Sequence, residues 1–123
     1  MEISKTFYPK NIKEVRDWFI KNHKTAKDIW FIFYTKESGI PFVPYSDVLD
    51  EALCFGWIDS IVKKVDINSR AQRFSPRRPK SPVSELNKAK MRRLILEKRM
   101  TPAGLAVVDT LDEDNFKIPL PII

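Results

Sequence analysis

Trp57, Asp59, Arg73, Arg77 and Asn87 are the residues whose types and spacing could do chemistry together. Asp59 follows a tryptophan by two positions, at the expected junction of a core helix and a hairpin, where a carboxylate is held partly out of water. Arg73 and Arg77 reach it from the next strand and loop. They are either its ion-pair partners or the arms of a pocket that holds an anion against the Trp57 ring. Asn87 lies near the inward stripe of a following helix, where an amide without a partner is costly, and it joins the same neighbourhood. A carboxylate near an apolar ring is also tuned for proton transfer, which makes Asp59 the candidate for general acid or base work in an enzyme.

Little else in the chain is reactive. Cys54 and His23 are the single cysteine and the single histidine, so neither an internal disulfide nor a Cys/His zinc site can be built. Cys54, between Leu53 and Phe55, reads as a packed thiol, and His23 as an exposed residue at a helix end. Gly39, Gly56 and Gly104 form no phosphate-cradling loop, so no metal and no nucleotide cofactor are expected.

The elements that must position these residues follow from period and punctuation. Asn11 and Glu14 have capping-box spacing and open a helix to about Asn22, with Ile12, Val15, Trp18 and Phe19 on its buried stripe. Ile29 to Tyr34, apolar on both faces, is a central strand ended by Ser38-Gly39-Ile40-Pro41. Ser46 caps a second helix with Val48, Leu49, Ala52 and Leu53 inward, which Gly56 ends near Trp57. Ile61 to Asp66 and Arg70 to Ser75 form a hairpin. Pro76, Pro79 and Pro82 then impose an irregular loop that displays Arg77, Arg78 and Lys80. A third helix runs from near Ser84 to about Arg99 with Leu86, Met91, Leu94 and Ile95 inward. Thr101-Pro102 starts a fourth, to about Leu111, with Leu105, Val108 and Leu111 inward. The fold class is therefore α+β: a small sheet containing a hairpin and a central strand, packed with about four helices.

Charge is distributed unevenly among these elements. Lys and Arg total 22 against 16 Asp and Glu, a net charge of +6. Residues 62–100 hold 13 basic and three acidic side chains, so the remainder is net acidic. A basic face of this kind attracts an anionic small molecule, an acidic protein or nucleic acid. For nucleic acid, Arg73-Phe74-Ser75-Pro76-Arg77-Arg78 would neutralise phosphates and stack Phe74 on a base. At 123 residues, 43% of them hydrophobic and 31% charged, the chain suits one domain over residues 1–123, with an extended tail from about residue 115. No run approaches the roughly 20 apolar residues of a membrane helix, and no basic-then-apolar leader opens the chain, so a cytoplasmic location is expected.

Four motifs in order carry a family resemblance: Glu51-Ala52-Leu53-Cys54-Phe55-Gly56-Trp57-Ile58-Asp59, Gln72-Arg73-Phe74-Ser75-Pro76-Arg77-Arg78, Ser84 with Asn87, and Met100-Thr101-Pro102-Ala103-Gly104-Leu105. Across about Trp18 to Leu105 the chain resembles the YdeI/OmpD-associated, or bacteriocin-protection, family. It departs in carrying Val83 where that family commonly has tryptophan and Arg99 where it commonly has glycine. The resemblance implies a protective or stress-associated role and transfers no catalytic residue. The expected function is a binding module for an anionic ligand or protein partner, with nucleic-acid binding and Asp59-based catalysis as alternatives.

Overall fold

The computed structural model describes residues 2–78 and 81–109, and the tail expected from about residue 115 lies outside them. Ile29–Tyr34 forms strand β2, which buries side chains on both faces and has a paired neighbour on either edge. One neighbour is β1, Thr6–Phe7, a parallel strand of two residues that is too short to leave a period in the sequence. The other is β4, Ser69–Pro76, which runs antiparallel and pairs in turn with β3, Trp57–Asp66. The sheet order is β1-β2-β4-β3. The expected hairpin is present, but its first strand starts at Trp57 and not at Ile61. Trp57-Ile58-Asp59 is therefore strand and not a junction.

Among the described residues the helices are α1, Ile12–Asn22; α2, Tyr45–Cys54; α3, Glu85–Leu96; and α4, Pro102–Asp109, giving an α+β fold. Asn11 caps α1 by accepting the Glu14 amide at 2.9 Å, while the Glu14 carboxylate reaches the Lys10 amide and not that of Asn11. Val15 and Phe19 are buried, but Ile12, in the first turn, is exposed. Ser46 is not the cap of α2. Pro44, with its φ held near the ring value, accepts the Asp47 and Val48 amides, and the helix begins at Tyr45. In α3, Leu86 is 68% exposed. At about 100° per residue it lies roughly 140° round the helix from Met91, whereas Lys88 lies only about 60° away. Lys88 consequently takes the buried position with Met91 and Leu94. The helix stops at Leu96, short of Arg99, because Lys98 turns left-handed at φ 60°. In α4, Gly104 and Val108 face inward in place of Leu105, and Leu111 lies outside the described residues.

The centre of this arrangement is α2, which packs on α1, β3, α3 and α4. Beside its apolar stripe it buries two carboxylates: Asp50 is 7% exposed and Glu51 4%. Arginines from three segments make that possible. Arg93 of α3 donates to both Asp50 oxygens at 2.8 Å. Arg16 of α1 and Arg99, after α3, hold the two Glu51 oxygens at 2.8 and 3.1 Å. Glu97 bridges Arg99 and Arg93 at 3.1 and 3.4 Å, closing an alternating chain of charges.

The end of α2 is sealed by α4. The Cys54 carbonyl accepts from the Thr101 amide at 3.0 Å and from its hydroxyl at 2.6 Å, while Gly56 turns left-handed at φ 77°. Gly104 approaches so closely that a Cβ would stand 2.4 Å from the Cys54 oxygen. Gly104→Ala should therefore push α4 off α2 and lower the unfolding free energy by about 1–3 kcal/mol, the usual cost of overpacking. Urea denaturation reads this, and an unchanged midpoint would contradict the packing.

Burial, and next the charge of Glu51, push the Cys54 thiol up to about 11 from 9.0. The unfolded chain thus releases this proton first, and stability is lost as pH rises between those values. Denaturation across this range should show the loss, and Cys54→Ala should reduce it.

Candidate functional site

The sheet distributes the five expected site residues over separate environments. Trp57 is buried in the core, edge-on to Trp18 at 5.6 Å and to Phe19 at 5.4 Å. Asp59 lies opposite Phe74 and shares its helix-covered face. Arg73, one residue along the strand, points from the other face, because side chains alternate. Asp59 and Arg73 therefore do not pair. Asp59 Oδ2 accepts from Gln72 Nε2 at 2.8 Å and from the hydroxyl of Tyr45, at the start of α2. Arg73 Nε instead donates to Asp28 at 2.9 Å. Asn87 is half-buried in the first turn of α3, where its amide completes the Ser84 cap at 3.1 Å.

Tyr45 and Gln72 are the partners that a search for opposite charge overlooks. Neutral donors suffice here because Asp59 is only half-buried and a carboxylate accepts well from both. Burial, followed by the hydrogen bond and charge of Asp59, holds the Tyr45 phenol above its ordinary value, so it stays a donor. Phe74 is fully buried and edge-on to Phe31 at 5.2 Å. It cannot stack on a base, which removes the aromatic part of the nucleic-acid expectation.

Arg77 is set apart from the other arginines by its partners. Its amide donates to the Gly56 carbonyl at 2.9 Å, which anchors the loop to the end of α2. Its guanidinium donates to the carbonyls of Pro82 and, at 3.4 Å, Ser81, and Nε is shielded from solvent with no partner. Burial alone holds this guanidinium below its ordinary value. Arg16, Arg73, Arg93 and Arg99 each hold a carboxylate, whereas Arg77 is paired with none among the described residues. It opens on a cleft of about 400 Å³ lined by Ile58, Ser75, Pro76, Arg78, Ser81 and Pro82. The arrangement can do one thing well: accept negative charge.

Tyr45→Phe should destabilise the fold by about 1–3 kcal/mol, the range for a hydrogen bond to a charged group. Combined with Asp59→Ala, the loss should fall short of the sum, because both changes remove the same bond. Strict additivity in urea denaturation would show that the two side chains are not coupled.

A family model described as a domain of unknown function (DUF8412) matches residues 7–107, and the chain belongs to that family. No curated protein and no solved structure matches it.

Proposed function

We propose that this member of the DUF8412 family is a binding module for an anionic small molecule or for an anionic group on a protein partner, received by Arg77 and Arg78. The observation that carries the reading is that Arg77 has no counter-charge among the described residues. Carbonyl dipoles offset part of the cost of desolvating a guanidinium, and an anion in the cleft offsets the rest. Pro76 and Pro82 flank the arginines and restrict the loop backbone, so little freedom is lost when paired hydrogen bonds form. No helix among the described residues is long and apolar enough to cross a membrane. The motif series resembling the YdeI/OmpD-associated family supports a protective, stress-associated role for this binding, and we place it in the cytoplasm. Trp57 and Asp59 lie on β3 and Asn87 on α3, the elements on either side of the Arg77 strand end and loop.

Titration calorimetry with inorganic phosphate tests this directly. Wild-type protein should bind it saturably, and Arg77→Ala should weaken binding at least tenfold. Lys90→Ala and Lys98→Ala on and after α3 should change it less than twofold, since a lysine ammonium on a flexible stem contributes a screened, diffuse field. Equal losses at all three positions would make the basic face a nonspecific electrostatic surface and remove the proposal.

A further inference from the structure

At the far end of the hairpin the sheet outruns its helices. Tyr45, the first residue of α2, packs on Phe33 with ring centroids 6.1 Å apart. Beyond it the same face continues without a helix: Arg70 stands opposite both Phe33 and Lys64, and Val62 opposite Gln72. Four of the exposed large apolar residues fall in this one segment, at Ile61, Val62, Val65 and Ile67, with Val62 49% and Ile67 81% exposed. Phe33, Val62 and Ile67 line a depression of about 280 Å³ whose cationic rim is Lys64 and Arg70.

Three features say what this depression accepts. Arg70 lies 5.1 Å over the Phe33 ring, which orients its guanidinium across the apolar floor, and it forms no ion pair with the described carboxylates. Thr35 Oγ1, also on the lining, is shielded from solvent and has no hydrogen-bond partner. Asp66, the acid at the site, is already engaged by the Asn68 amide at 2.8 Å and by Ser69, which hold its carboxyl below the ordinary value. The site thus combines an apolar surface, a cation fixed at its edge and a free hydroxyl.

We infer that the hairpin end is a second binding site, for a small amphipathic carboxylate: one apolar chain or ring on the exposed Val62 and Ile67, with its carboxylate on Arg70 and the Thr35 hydroxyl. The cavity is slightly below the usual range for drug-sized ligands, which limits the occupant to a short chain or a single ring system. It is separate from the Arg77 cleft. At about 3.3 Å per strand residue, Arg70 and Arg77 lie roughly 20 Å apart along β4.

Octanoate is the probe, with octanol and inorganic phosphate as controls, followed by backbone amide NMR of the full chain. Saturable shifts should gather at Thr35, Val62, Ile67 and Arg70, and octanol should bind at least tenfold more weakly. Val62→Asp, at an exposed position and with an intact fold checked by circular dichroism, should weaken octanoate at least tenfold, while Arg77→Ala should not change it. Phosphate should shift none of these amides. Octanol binding as tightly as octanoate, shifts scattered over the surface, or unchanged binding in Val62→Asp would overturn the inference, whatever phosphate does at Arg77.

Discussion

Asp50 and Glu51, adjacent and buried on α2, are the constraint on which the rest of the structure depends. Two carboxylates cannot leave water unpaired, and removing one partner of a buried pair costs about 3–5 kcal/mol. The chain therefore brings Arg16, Arg93 and Arg99 to α2 from α1, α3 and the segment after α3. Hydrophobic burial draws these helices together without fixing their register; the bidentate Arg93 contact and the shared Glu51 do fix it. With α2 so held, Tyr45 at its start meets Asp59, and the Cys54 carbonyl at its end receives α4.

The same constraint sorts the arginines by role. Those near α2 neutralise its acids, and Arg73 neutralises Asp28 beyond the helix-covered face. Arg77 follows the strand that would carry it away from every one of these acids, and its amide is tied to the Gly56 carbonyl. It is left desolvated among carbonyls at the mouth of a cleft. Arg70, at the other end of β4, is likewise held by a ring and not by an acid. The two ends of one strand thus present cations that the fold does not consume, and the middle of the molecule presents cations that it does.

Elements with strong local signals were legible in the sequence: the doubly apolar β2, the Asn11 cap of α1, the hairpin, and the Thr101-Pro102 start of α4. Partnership was not. Asp50 and Glu51 sit on a helix whose apolar stripe could be counted, yet charge at those positions suggests solvent until the arginines that cover it are placed in space. Leu86 reads as inward by its apolar type although its angle from Met91 argues against that, and Lys88, at the better angle, carries a charge that by itself suggests solvent. For the site, Arg77 was recognisable from its proline-restricted loop. The division of Asp59 from Arg73 depends on strand alternation and on a β3 that starts four residues earlier than its pattern suggests. Gly56 and Thr101 are legible as the end of one helix and the start of another and Gly104 as a motif residue, but that the three form the contact between α2 and α4 is not.

The proposed binding role requires that Arg77, unlike the arginines paired with carboxylates, has its charge open to a ligand. Arginine side-chain NMR reads this at the Nε–H group of each residue. As inorganic phosphate is added at constant ionic strength, the Arg77 resonance should move and saturate, because its guanidinium lines the cleft and is paired with no described carboxylate, while those of Arg16, Arg73, Arg93 and Arg99 stay in place. A stationary Arg77 resonance, or equal drift of all five, would contradict it.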